Sequence, residues 1–228
     1  MNMLRFSFAG LDLYALPSGG LWWPEEKRLL VADLHLGKAE RIARRGGQLL
    51  PPYEVAETLE RLARDIDATG AYEVLCLGDS FDDTACAAQL HVSDQKRLTE
   101  LKSRTHWRWI AGNHDPQSMA GDHTEALRLE PLLLRHIAKP GPLPDRISGE
   151  ITGHFHPKHH LVTRGGRVAR RCFLVTETRV ILPAYGAYTG GLALSDPAFG
   201  PFLTPGSRAI LLGRPPVLVP LSVSEAAE

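Results

Sequence analysis

The feature that most constrains this chain is a set of short apolar runs, each ending in acid, amide or imidazole side chains. RLLVA (28–32) stops at Asp33-Leu34-His35, YEVLCL (72–77) at Gly78-Asp79, and WRWIA (107–111) at Gly112-Asn113-His114-Asp115. Two later runs end in imidazoles: LLLR precedes His136, and EIT precedes Gly153-His154-Phe155-His156. Runs of this length read as buried strands. Groups at the C-terminal ends of neighbouring strands converge on one crevice without distorting the sheet. The one-residue spacing of Asp33/His35 and of His154/His156 sends both side chains of each pair to the same side of a strand end. Asp, His and Asn donors with no thiolate suit hard-to-borderline divalent ions such as Mn, Fe or Zn. Taken singly, each piece is commonplace: a strand-end Asp is most often a turn or helix cap, and a lone histidine such as His136 is most often structural. The joint occurrence, each motif after an apolar run, points to a metal centre.

The rest of the chain frames these motifs. Phe6 to Leu16 alternates as a strand or hairpin arm. Residues 53–69 place Val55, Leu59, Leu62 and Ile66 on one helical stripe with Gly70 as the stop. Ser93 is expected to cap a short charged helix running to Lys102. After about residue 130 the pattern becomes strands separated by turns: LLLRH, EITGH, VARRCFLV, RVILPAY, AILL and VLVP. A strand–helix half followed by a strand-rich half predicts an α/β (α+β) sandwich, with two packed sheets and helices on the outer faces. No linker interrupts the 228 residues, so a single domain over 1–228 is expected.

Lys and Arg total 26 and Asp and Glu total 26, which excludes a basic nucleic-acid tail and an acidic disordered chain. That balance does not exclude nucleic acid as a substrate, because a sum says nothing about where charges sit. Cys76, Cys86 and Cys172 are odd in number and form no C-x-x-C pair, so neither a disulfide framework nor a thiolate zinc site is expected and a reducing cytosol fits. The first residues lack the apolar stretch of a signal peptide, and no run approaches the roughly 18 apolar residues of a membrane span. The expectation is a soluble, cytoplasmic protein with no membrane partner.

DLHLGK (33–38), LGDSFDD (77–83), AGNHDP (111–116) and TGHFHP (152–157), in that order, resemble the motifs of the calcineurin-like binuclear metallophosphoesterases. DLHLGKAER, GHFHPKHH, RRCFLV and LPAYGAYTGG look like one branch of that superfamily, the ligase-associated DNA damage response endonucleases, a likeness covering roughly residues 20–200. The resemblance implies a four-layer metallophosphoesterase sandwich of two mixed β-sheets flanked by helices. It also implies two divalent metal ions at the sheet edge, Mn being favoured over Fe or Zn. Carried over position by position, Asp33, His35 and His156 would hold the first ion. Asn113, His136 and His154 would hold the second, with Asp79 bridging both. His114 would act on the substrate without binding metal, and Asp115 could orient His114 through a hydrogen bond. His123 is the alternative to His136, which is favoured because it follows an apolar strand. Some relatives carry a His shortly after the bridging Asp, where Asp82 and Asp83 stand here.

With such ions bound, Asp33 and Asp79 would leave the site net positive, which favours an anionic substrate. A two-metal clamp activates a shared water for in-line attack at phosphorus, and His114 would protonate the leaving alkoxide. The expected activity is a phosphodiesterase on DNA, an endonuclease in DNA repair associated with an ATP-dependent DNA ligase and a helicase. Lys158, Arg164, Arg167, Arg170 and Arg171 lie in a stretch (157–176) with no acid, and Lys38, Arg41, Arg44 and Arg45 have only Glu40 among them. Of these, Lys38, Arg41, Lys158 and Arg164 are the candidates for binding substrate phosphates; solvated faces are the plainer reading. Trp22, Trp23, Trp107 and Trp109 offer either stacking surface or core, and LPAYGAYTGG reads as a structural turn. Two other functions fit the residues: a small-molecule phosphoesterase, or a non-catalytic metal-binding scaffold.

Overall fold

The computed structural model describes residues 2–47, 51, 53–115, 123–163 and 165–222. Alternating residues at the start of the chain form a hairpin of β1 (Leu4–Phe8) and β2 (Leu11–Ala15), extended antiparallel by β3 (Leu21–Trp23) and β4 (Arg28–Val31). The chain then switches to parallel addition of β5 (Glu73–Leu77), β6 (His106–Ile110) and β7 (His123–Thr124), giving a seven-stranded mixed sheet in sequence order. Parallel neighbours need crossovers. Between β4 and β5 run α1 (Lys38–Arg44) and α2 (Glu54–Thr69); between β5 and β6 run α3 (Thr84–Gln89) and α4 (Val92–Arg104).

The second sheet uses β8 (Ala126–Leu129), β9 (Leu132–Arg135), β10 (Gly149–Thr152), β12 (Gly166–Val175), β13 (Arg179–Ile181), β14 (Arg208–Leu211) and β15 (Val217–Pro220). Their order is β15-β14-β12-β13-β10-β9-β8, parallel only along β13-β10-β9. A further strand, β11 (Lys158–Thr163), pairs with the outer half of β12 as a hairpin, and residues 166–170 of that hairpin are exposed.

Three apolar layers follow from strand alternation. Leu30, Leu75, Leu77 and Ile110 of the first sheet meet Leu132, Leu134, Ile151 and Phe173 of the second to form the central core. The opposite faces of the same strands, Leu29, Val31 and Val74, pack against Val55, Leu59, Leu62 and Ile66 of α2, the stripe expected from the sequence. Gly70 ends α2 with φ 65°, a left-handed cap that glycine adopts freely. The outer face of the second sheet is covered by a 3₁₀ turn (Pro197–Phe199) and neighbouring loops rather than by long helices. All four tryptophans pack against these cores, Trp107 at the margin, which decides against the stacking role.

One local expectation is corrected. His91, not Ser93, caps α4: its ring lies 2.7 Å from the Ser93 hydroxyl and accepts the Ser93 N–H, so Ser93 sits inside the first turn. Among the described residues no helix is long and apolar enough to cross a membrane.

β10 carries a wholly buried carboxylate, Glu150, which accepts from Arg179 Nε at 2.8 Å and pairs with Arg135. Arg179 also donates to the Lys139 and Gly141 carbonyls, so one guanidinium ties β10 and β13 to the loop after β9. Removing one partner from a buried pair strands the other charge. Arg179→Leu is therefore expected to lower unfolding stability by about 3 kcal/mol, as read by urea denaturation.

Candidate metal centre

The ends of β4, β5 and β10 leave the sheets through backbone that side chains rarely adopt. Among the described residues eight non-glycine residues have positive φ, and five of them are Asp33 (55°), His35 (46°), Asp79 (48°), His154 (70°) and His156 (48°). Left-handed conformations at non-glycine residues cost energy and persist where the surroundings impose them. The glycines before these residues are required by close approach: a Cβ on Gly78 would overlap the His136 ring, and one on Gly153 would overlap the Asp33 carboxylate.

These turns bring the side chains into two groups, Asp33/His35/His156 and Asp79/His136/His154, with donor atoms within 4.8 Å of one another inside each group. All but His154 and His156 are buried. Asp79 stands between the groups: its Oδ2 lies 3.3 Å from His136 Nε2 and 3.9 Å from His35 Nε2. Asn113 joins the second group, with Oδ1 at 3.0 Å from His136 Nε2.

The chemistry of the first group fits a cation. Asp33 Oδ1, His35 Nε2 and His156 Nε2 are buried atoms without a hydrogen-bond partner. Asp33 Oδ1 and His156 Nε2 approach to 3.2 Å without hydrogen-bond geometry, as two lone pairs do when both face a third party. Buried acceptors left unpaired are costly. In the second group, His136 Nδ1 is 2.9 Å from the Leu77 carbonyl, so an N–H there turns Nε2 toward the other ligand candidates. Nε2 then faces Asn113 Oδ1, Asp79 Oδ2 and His154 Nδ1 at 3.0–3.3 Å. A proton substitutes for a cation in that crowd. Burial opposes charge on His136, but Asp79 and Asp33 outweigh it and raise the imidazole to about 9. Burial likewise opposes charge on Asp79, and the His136 contact overcomes it, holding the carboxyl at about 2. Burial and then the charge of His136 lower His154.

Asp82, whose part the sequence left open, is buried beneath the site. Its Oδ1 lies 2.9 Å from His35 Nδ1, in ion-pair range though without hydrogen-bond geometry, on the ring edge opposite the first group, and its Oδ2 pairs with Arg41. A carboxylate behind a ligating histidine fixes the ring and raises its basicity. The acidic doublet after Gly-Asp-Ser-Phe was the available signal. Asp83 caps α3 by accepting the Cys86 N–H and pairs with Arg44. The segment Ala184–Gly186 is a strap behind the first group: the Tyr185 and Gly186 amides donate to the Ala32 and Asp33 carbonyls at 2.8 and 3.1 Å.

His114 sits at the open side of the centre. Its N–H donates to Asp79 Oδ1 at 2.8 Å, its ring is edge-on to His35 at 5.3 Å, and its Nδ1 lies 3.2 Å from the Asp82 carbonyl oxygen. The expected hydrogen bond from Asp115 to His114 is replaced by another arrangement. Asp115 accepts the Ser80, Phe81 and Gly112 backbone N–H groups, knitting the Asp79 turn to the Asn113 turn. Three amide donors at short range leave that carboxylate no reason to reach the ring.

The basic residues divide. Arg41 is committed to Asp82, and Lys38 Nζ lies 4.0 Å from the same carboxylate, so these two neutralise a buried acid rather than face solvent as free cations. Lys158 begins β11, half-buried beside Gly191. Arg167 and Arg170 are exposed on the hairpin, whereas Arg171 turns inward to the Ala184 carbonyl at 2.9 Å. Arg164 and the His123 side chain lie outside the described residues.

Known proteins resemble this chain in sequence and fold. The family model described as calcineurin-like phosphoesterase matches residues 27–175. Among solved structures, the crystal structure of Pseudomonas putida nuclease MPE is 29% identical, with a TM-score of 0.72, covering 96% of this chain and 100% of that one. Yfce, a phosphoesterase from E. coli, is 16% identical with a TM-score of 0.41, covering 82% and 87%. Comparison with curated proteins gives no match. If Asp82 sets the basicity and aim of His35, Asp82→Asn lowers the affinity of the first group for Mn by about 10–100-fold. A calorimetric Mn titration checks this.

Proposed function

The chain belongs to the calcineurin-like phosphoesterases, metal-dependent hydrolases of phosphoester bonds, and from that premise we propose that its substrate is DNA, cut internally at phosphodiester bonds. One observation carries the reading: the likeness to Pseudomonas putida nuclease MPE extends over all of that chain and 96% of this one. A role in DNA repair beside an ATP-dependent ligase and a helicase, in the cytoplasm, rests on the branch resemblance of the DLHLGKAER and LPAYGAYTGG segments.

In this reading Asp33, His35 and His156 hold one divalent ion and Asn113, His136 and His154 the other, with Asp79 shared. When bound, the ion pair supplies Lewis-acid polarisation of the phosphate and a hydroxide nucleophile at neutral pH. The donor set accepts Mn, Fe or Zn, and Mn is the ion proposed. The unpaired acceptors of the first group support the assignment.

His114 is the group proposed to move a proton. Its backbone N–H is tied to Asp79, so the ring is carried by the same turn that presents the shared carboxylate. The Asp82 carbonyl oxygen beside Nδ1 can accept an N–H there, so the imidazolium form of His114 would present its Nε2–H to the departing alkoxide and be left as the neutral Nδ1–H ring. Asp115 becomes a positioning residue, through the amides of Ser80 and Gly112. Lys158 remains a proposed phosphate contact beside His156, as does Arg164, while Lys38 and Arg41 serve the centre through Asp82.

A Mn-supplemented assay on circular single-stranded DNA tests the substrate. An endonuclease opens the circle to a linear strand; hydrolysis of nucleotides with circles left intact would favour the small-molecule reading. His114→Ala is expected to keep its metal and lose about 10²–10⁴-fold in diester turnover. Unchanged turnover would remove His114 from its role.

A further inference from the structure

Behind the Ala184–Gly186 strap lies a cleft of about 510 Å³ that shares no residue with the metal centre. Its wall carries four guanidiniums, Arg61, Arg64, Arg171 and Arg214, against two carboxylates, Glu57 and Asp65. The carboxylates are already engaged. Glu57 pairs with Arg61 at 2.6 Å, one turn away on α2. Asp65 is buried and accepts the Ser18 and Tyr185 hydroxyls; burial outweighs those bonds and raises its carboxyl.

Among the described residues, Arg64, Arg171 and Arg214 pair with no carboxylate. Arg171 is half-buried and spends only one nitrogen, on the Ala184 and Gly186 carbonyls. Arg61 holds the Tyr185 carbonyl at 2.7 Å. Burial and then the charge of Arg61 lower Arg171, the mark of two like charges held close. A half-buried cation without counter-charge, as Arg171 is, is costly unless an anion completes the site, and the exposed Arg64 and Arg214 add positive charge at its mouth. A guanidinium fork matches phosphate oxygens two at a time.

We infer that this cleft is a second anion site and takes a phosphate monoester. A monoester dianion suits a wall on which four arginines outnumber the carboxylates by at least two positive charges. The volume falls in the range of small-ligand sites and exceeds what inorganic phosphate fills, so the phosphate carries an organic group. Two sources of such a monoester, a free nucleotide and the phosphorylated end of a nucleic-acid strand, are separated by the test below. The inference stands apart from the DNA-cleavage reading, since it uses none of the metal-centre residues.

Calorimetric titration of the full-length, Mn-loaded protein with adenosine 5′-monophosphate tests it. Binding is expected to persist in Asp79→Asn, which disables the metal centre. It is expected to weaken at least about tenfold in the double variant Arg64→Glu/Arg214→Glu. Both arginines are exposed, so that variant keeps its melting temperature, and Arg64→Lys/Arg214→Lys retains binding. A matching loss of preference for 5′-phosphorylated over 5′-hydroxyl oligonucleotides identifies a strand end as the ligand; a loss confined to the mononucleotide identifies a free nucleotide. Mononucleotide binding that survives the charge reversal, or that disappears with Asp79→Asn, would overturn the inference.

Discussion

Everything else in this molecule is arranged around the mutual repulsion of buried acceptors at the ends of β4, β5 and β10. Asp33, His35 and His156 face one another without hydrogen-bond partners for four of their buried atoms, and Asp79 closes the gap to His136 and His154. Such a cluster is unstable alone. Protonation of His136 relieves the second group, and divalent cations would relieve both. The mixed sheets matter because their parallel portions deliver five chain turns to one place.

Strain is the second constraint. Five of these side chains sit on left-handed backbone, so the turns must be held from behind. The holding groups are Asp115, which ties three amides together, Asp82, which fixes His35, and the Tyr185–Gly186 strap, which accounts for the Ala32 and Asp33 carbonyls. Tyr185 is itself anchored, by its hydroxyl to Asp65 at 2.8 Å and by Arg61 to its carbonyl. The metal centre and the arginine cleft are thus two faces of one strap.

How much of this was legible beforehand depended on whether the information was local. The strands that end in Asp33, Asp79 and Asn113, and the α2 stripe, follow from short-range pattern, and the sequence order of the motifs is enough to bring their side chains together. The partners were not legible. The acidic doublet marks Asp82 but not that it lies against His35, 47 residues away, and the run Lys38 to Arg45 reads as a basic surface until Asp82 and Asp83 are seen to neutralise Lys38, Arg41 and Arg44. Asp115 follows His114 in the chain, which suggested a bond that three nearby amides instead absorb. The short helices α1 and α3 were missed because each runs for only six or seven residues and is held by contacts around the site rather than by periodicity.

The measurement that bears most directly on this account is anomalous diffraction from crystals grown with Mn. Two peaks are predicted, one enclosed by Asp33, His35 and His156 and one by Asn113, His136 and His154, with Asp79 reaching both. A single peak, or ions bound elsewhere while these side chains remain in contact with one another, would contradict it.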